Sequence, residues 1–370
     1  MGNFKRFSQA SLFALAFVLI PFLARASSNS FIGPLSKVNR IASTVPPNGD
    51  INPYGVAVVP RTTGKLIQGH ILVSNFNNSA NLQGTGTTIV QIGPGGAFSV
   101  FAHISAKTLP GACPGGVGLT TALAVLRTGW VIVGSLPTTD GTAATAKAGC
   151  LLVLNKWGQV VETFSGSLNG APINGPWDMT ALDLGPVAEL FVTNVLNGTV
   201  AAKGSIVNRG TVVRIVLFIP ESGKPQEILR TVVGSGFAER TDPNALVIGP
   251  TGVGLSANGT LYVADTLTNR IAAIPQAVSR FTSDGRGTTV SKGGALNGPL
   301  GLSIAPNGDI LATNGGDGNL VEVTAGGSQV VKTIDTSGQG AGTLFGLAVN
   351  PVGTGVYFVD DGDNTLDILH

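Results

Sequence analysis

Charge is scarce in this chain and is nowhere concentrated. Charged residues make up 11% of it, no run of Lys or Arg occurs, and only three His and two Cys offer themselves for metal or thiol chemistry. Nucleic-acid binding needs a dense positive footprint against the phosphates, so that partner class is not expected. Long apolar runs are equally rare. The longest at the N-terminus, Leu12 to Leu23, follows Lys5 and Arg6 and ends at Ala24, Arg25 and Ala26. Its twelve residues fall short of the roughly 20 a membrane-spanning helix needs. The basic, apolar, small-x-small order is that of a secretory signal peptide with cleavage after Ala26, an uncleaved anchor being the alternative.

Without that leader, 19 basic residues stand against 20 acidic ones, a net charge of −1, so the apparent basicity belongs to residues 1–26. A secreted or periplasmic chain over residues 27–370, with no transmembrane anchor after cleavage, is expected. In such an oxidising compartment Cys113 and Cys150 read as a disulfide, because no His lies near either in sequence to suggest a metal or thiol site.

What the chain has in quantity is Gly, 53 residues, with abundant Val, Thr and Ile and few Lys or Glu. This is the composition of many short strands joined by tight turns. Internal similarity follows a fixed plan: a small residue opens a short apolar strand, a turn follows, and a second strand ends in Asn, Asp or Ser. Six copies start at Gly55, Ala122, Asp178, Gly252, Gly301 and Gly346, with spacings of 67, 56, 74, 49 and 45 residues. Each is followed by a third apolar run, and Asn-Gly turns such as SANGT and APNGD join the first two strands in the cleanest copies. Antiparallel units of about 45 residues have the size of propeller blades. The last copy stops at His370 short of a fourth strand, and residues 31–43 are placed to supply it. Extra residues at 76–88, 136–149 and 221–248 read as insertions.

The stretch GPTGVGLSANGTLYVADTLTNRIAAI resembles an NHL repeat, whose pattern runs from a Pro-containing lead-in through a hairpin to Val-Ala-Asp and then Asn-Arg-Ile. Residues 299–323 match more loosely. The last unit keeps Asp360 and Asn364 but has Thr365 where Arg270 stands. The likeness is specific over about residues 249–370 and architectural over 52–248. It implies an all-β, six-bladed propeller and a family range that covers binding scaffolds and enzymes.

In a meander blade the first strand lines the axis, and its beginning shares a face with the end of the second strand. That rim collects Asn75, Ser135, Asn194, Asp265, Asn314 and Asp360, with Tyr54, Thr121, Trp177, Thr251, Leu300 and Phe345 nearer the axis. A residue type repeated in every blade reads first as architecture, since Asn and Asp at strand ends accept backbone hydrogen bonds. Asn269 and Arg270 belong with it. Departures from the repeat carry more information: Asp178 replaces the small residue of other blades, and Tyr54, Trp177 and Phe345 bring aromatic rings to the mouth. Such a mouth suits a largely apolar ligand with a few polar anchors, and rings that merely plug the channel are the alternative.

Six-bladed relatives of the gluconolactonase, paraoxonase and strictosidine synthase class set Glu, Asn and Asp around a metal or use a single Glu. The virginiamycin B lyase type relies on His. Here His70, His103 and His370 fall away from the rim, and no Glu falls on it. Two readings result. The leading one is a monomeric binding scaffold for a small molecule, glycan or protein at the rim. The other is a metal-dependent hydrolase in which Asp178, Asp265 or Asp360 holds Ca²⁺ or another divalent cation.

Overall fold

Small residues where neighbouring strands crowd, apolar residues between the sheets and glycines in the turns give a radial arrangement. The computed structural model describes residues 30–370, and the expected leader lies outside them. Six antiparallel sheets are arranged as the blades of a β-propeller. Blade one comprises Ile51–Val58, Ile71–Asn77, Thr88–Ile92 and Phe98–His103. Blade two comprises Leu119–Val125, Val131–Ser135, Cys150–Leu154 and Val160–Phe164. Blade three holds Pro176–Asp183, Val187–Asn194, Val207–Phe218 and Gln226–Asp242, with the short Leu246–Ile248 on its outer edge. Blade four is Pro250–Leu255, Leu261–Asp265, Arg270–Ile274 and Thr288–Lys292. Blade five is Pro299–Ile304, Ile310–Asn314, Asn319–Val323 and Gln329–Thr333. Blade six combines Leu344–Val349, Val356–Asp360 and Thr365–Leu369 with Val38–Ser43, which pairs antiparallel to Thr365–Leu369 and covers that edge.

One expectation needs correction. Residues 221–248 are not mainly an insertion, because Gln226–Asp242 is a 17-residue strand paired along Val207–Phe218. Alternation of apolar and polar residues is interrupted there by four register shifts, which hid the strand from a reading by pattern.

The core is distributed. Apolar clusters fill the wedges between neighbouring blades: Leu72, Ile89 and Phe101 meet Leu123 and Val133 between blades one and two, and Leu311 and Leu320 meet Leu347 and Phe358 between five and six. At roughly 1.5–3 kcal/mol for each fully buried large aliphatic side chain, these wedges are the main stabilising term. The small residue at the start of each repeat is required by this packing. A Cβ on Gly252 would lie 2.3 Å from the Leu300 carbonyl oxygen, and one on Gly346 would lie 2.2 Å from that of Tyr54. In blades one, three and five a hydroxyl completes the joint. Ser74, Thr193 and Thr313 each accept from the inner-strand N–H of their own blade at 3.0 Å and donate to an inner-strand carbonyl of the next at 2.6–2.7 Å.

The disulfide forms between Cys113 and Cys150, with Cα atoms 5.2 Å apart, and ties the loop leading into blade two to that blade's third strand. Among the described residues no helix is long and apolar enough to cross a membrane.

Candidate functional site

Each inner strand carries a register shift close to its start, for example between Pro53 and Gly55, Pro176 and Met179, Pro250 and Val253, and Leu344 and Leu347. A shift there re-aims the following side chain toward the axis. Proline opens three of these strands, at Pro176, Pro250 and Pro299, and Pro53 is third in another, on an edge where an absent N–H breaks no ladder.

The side chains so aimed converge. Tyr54 stacks on Phe345 with ring centroids 3.9 Å apart and on Phe76 at 4.4 Å, and Trp177 leans against it at 6.2 Å. Tyr54, Trp177, Leu300 and Phe345 all belong to one buried cluster, each no more than 5% exposed. The same cluster holds Leu136 and Ala146 from a loop of blade two, Val195 from a loop of blade three, and Leu246 and Val247 from that blade's short edge strand. These loops roof the rings, and the amide of Gln83 reaches over to the Pro243 carbonyl at 3.1 Å. The rings therefore form a packed plug across the axis and not the rim of an open mouth. Burial together with the nearby Asp361 carboxylate drives the Tyr54 phenol well above its ordinary pKa.

Asp178 lies beside this plug. Its carboxylate replaces the small residue that other blades place between inner strands, and it is buried. One oxygen accepts the Val253 N–H of blade four at 3.0 Å. That amide lies on the inner edge of the sheet, so Asp178 supplies across the blade gap an acceptor that no strand provides. Burial pushes its pKa up to about 8, against the hydrogen bonds from the Met179 and Val253 amides. Burial thus favours the neutral form of Asp178.

The polar ring is engaged within the fold. Asn194 accepts from the Asn174 and Gly175 amides at 3.0 and 2.8 Å, and Asn314 accepts from the Asn297 amide at 3.1 Å. Ser135 accepts from the Gly118 amide at 3.0 Å, and the Asn75 amide donates to the Thr44 carbonyl at 3.0 Å. Asp360 accepts from Thr336 at 2.9 Å and from Gly362 at 2.9 Å. With the exception of Gly362, these partners lie in the segment leading into the same blade, not in the turn after the second strand as turn chemistry suggested.

Asp265 differs in accepting both Nε and Nη2 of Arg270, at 3.0 and 2.7 Å, in a nearly fully buried ion pair. Arg270 also donates to Thr289 at 3.2 Å and to the Arg286 carbonyl at 2.9 Å. Asn269 adopts the left-handed conformation, φ +49°, and accepts the Gly298 amide of the next blade's lead-in at 2.6 Å. Asn364 repeats this at φ +55°, accepting the Asn52 amide at 2.7 Å and joining blade six to blade one.

Sequence reasoning missed two acids near the rim. Glu239 is fully buried, held by the Asn197 amide and side chain at 3.1 and 3.3 Å, while Asn197 in turn donates to the Asn194 carbonyl at 2.9 Å. Burial raises its pKa to about 7. Glu239 occupies none of the second-strand ends or first-strand entries; the long irregular strand of blade three delivers it beside them, through Asn197. Asp361 follows Asp360, and burial with the charge of Asp360 raises it to about 7. The doublet at 360–361 was visible, but its position beside Tyr54 was not.

A divalent cation needs several oxygen ligands on one centre. Asp178, Asp265 and Asp360 do not provide that: the first is held by an amide, the second by a guanidinium, the third by Thr336 and Gly362. Among the described residues no three His, Cys, Asp or Glu side chains gather as a metal-binding group.

The rim face does contain a cavity of about 650 Å³, lined by Ala143, Ala144, Val200, Lys203, Thr241 and Pro243 among others. Ala143 and Val200 pack against the cluster that contains the plug, so the cavity lies over it.

No family model and no curated protein matches the chain. Solved structures do. A gluconolactonase from Xanthomonas campestris is 13% identical with a TM-score of 0.54, covering 88% of this chain and 87% of its own. Regucalcin from Agrobacterium tumefaciens, described as a calcium-binding protein, is 12% identical with a TM-score of 0.51, covering 89% and 93%. A catalytically inactive virginiamycin B lyase from Staphylococcus aureus, solved with quinupristin, is 14% identical with a TM-score of 0.51, covering 90% and 98%. At these identities the likeness establishes the six-bladed fold and nothing finer.

Proposed function

We propose that this chain is an exported, NHL-type propeller that acts as a binding scaffold, taking a small, largely apolar molecule in the rim-face cavity over the aromatic plug. The cavity carries the reading. At about 650 Å³ it has the size of small-molecule sites, its walls are mainly aliphatic, and Lys203 offers one cation on its margin. Export is supported by the Cys113–Cys150 bridge, a feature of oxidising compartments.

Ligand specificity on this reading comes from the loops of blades two and three, and Asp178 acts from beneath by fixing the gap between blades three and four. The hydrolase alternative has the lactonase-like fold behind it. Against it, the three aspartates expected to hold a cation are separately engaged. Fold alone does not fix chemistry.

Anilinonaphthalene sulfonate, an apolar fluorophore with one negative charge, should bind the folded protein at a single site. Ala144→Trp, which fills the cavity from an exposed position, should weaken it by about tenfold or more. Absence of single-site binding, or indifference to Ala144→Trp, overturns the reading. Calcium, magnesium or zinc added to chelator-treated protein should leave the melting temperature unchanged. A saturable rise would instead favour the metal-dependent alternative.

A further inference from the structure

Far from the rim, on the face formed by the turns between first and second and between third and fourth strands, lies a larger groove. It has a volume of about 830 Å³ and runs between blades two and three. Two of the chain's three tryptophans, Trp130 and Trp157, line it together with Phe218. Trp157 is 51% exposed and Phe218 42% exposed. An exposed tryptophan keeps apolar surface in water, which a fold normally avoids, and two tryptophans and a phenylalanine meeting at one surface groove indicate a contact site. Among the described residues neither indole N–H has a hydrogen-bond partner. Each is a free donor.

The platform is rigid. Trp157 lies in a turn whose amide bonds to the Asn155 side chain at 2.9 Å, and the Lys156 carbonyl accepts the Lys65 amide at 2.9 Å. Gly158, at φ +80°, fits against the Phe101 carbonyl so closely that a Cβ would come within 2.1 Å of it. A turn held on both sides lowers the ordering cost of the backbone that carries the ring.

Two exposed charges of opposite sign flank the aromatic floor: Lys156 and Glu221, neither in an ion pair among the described residues. From this combination we infer that the groove is a binding site for a neutral carbohydrate chain. A sugar ring has an apolar face of C–H groups that stacks on an indole, and a girdle of hydroxyls that both donate and accept. The groove answers each need, with aromatic faces, donors at both indoles and Lys156, and an acceptor at Glu221. A proline-rich peptide would also favour aromatic grooves, but it offers carbonyl acceptors and few N–H donors, so Glu221 would face it unpaired. The carbohydrate is the better match. This site is separate from the rim-face cavity and does not depend on its occupation.

Calorimetric titration of the intact protein with neutral hexasaccharides (cellohexaose, xylohexaose, chitohexaose and mannohexaose) tests the assignment. At least one should bind with single-site stoichiometry. Trp157→Ala should weaken it about tenfold or more and Glu221→Gln by a smaller factor, both with unchanged melting temperature, and Ala144→Trp at the rim should have no effect. Failure of all four sugars at millimolar concentration overturns the inference. So does binding that survives Trp157→Ala, or decaproline binding in their place.

Discussion

Blade four and blade three handle buried charge in opposite ways. In blade four, the most regular copy of the repeat, the carboxylate at the end of the second strand is matched by its own arginine five residues later in a bidentate pair. In blade three, the least regular, Asp178 goes into the gap between inner strands with only backbone N–H groups for company, and burial pushes its pKa up to about 8. The two carboxylates thus differ in company: Asp265 has a cation beside it, whereas Asp178, placed where the repeat breaks, has none, and its ionisation answers to burial.

The largest test of this contrast is Asp265→Ala. It leaves the Arg270 guanidinium buried with Thr289, the Arg286 carbonyl and the Phe237 ring, 6.0 Å away, but no counter-charge, and removal of one member of a buried pair costs about 3–5 kcal/mol. The urea midpoint should fall accordingly. A loss below about 1 kcal/mol would mean the pair contributes no more than a surface ion pair, and the contrast between the blades would collapse. Next comes the covalent tie of blade two. Replacing Cys113 and Cys150 together by Ala should cost about 2–4 kcal/mol, measured by the same unfolding curves under non-reducing conditions.

Asp178→Asn probes the other side of the contrast and should act with a distinctive sign. A carboxyl whose folded pKa lies above its unfolded value contributes stability fully present below about pH 4. That contribution is lost as pH rises toward the folded pKa of about 8. Asn keeps an oxygen for the Val253 amide and cannot ionise. The variant should match the parent near pH 4 and be more stable by roughly 1–3 kcal/mol near pH 8. Parallel pH profiles for the two proteins would show that Asp178 is not the group that titrates. Glu239 and Asp361, each raised to about 7, add to the same downward slope in the parent, so the variant's curve should flatten without becoming level.

Most of the architecture was legible in the sequence because it is written in the repeat. Small residues fall where inner strands crowd, Asn and Asp end the second strands, and the Gly and Asn turns keep their spacing. The long strand Gln226–Asp242 escaped because its register shifts break the alternation on which strand recognition depends. The candidate site was half visible. Tyr54, Trp177 and Phe345 stand out as side chains that the repeat does not require, and they do converge, but no local pattern could say that they stack into a plug under the loops of blades two and three. The groove at Trp130 and Trp157 was invisible for a different reason. It is assembled from turns about 25 to 90 residues apart, none of which departs from ordinary turn chemistry on its own.

The finest test concerns how one regular blade is joined to the next. Asn269 combines a left-handed backbone with a side chain that accepts the Gly298 amide of blade five at 2.6 Å. Asn269→Gly keeps the conformation without strain and deletes only that acceptor. A net loss of about 0.5–1.5 kcal/mol is expected for one hydrogen bond, less whatever water restores at the half-open edge. Asn269→Ala should cost more, because Ala pays for positive φ as well, by about 1 kcal/mol. If the two variants prove equal, the left-handed conformation is not what selects Asn here, and the hydrogen bond to Gly298 is. If Gly costs nothing while Ala is destabilised, Asn269 shapes its own turn, and the junction to blade five rests on Thr251 and Thr266, whose hydroxyls donate to the Pro299 carbonyl at 3.1 and 2.7 Å.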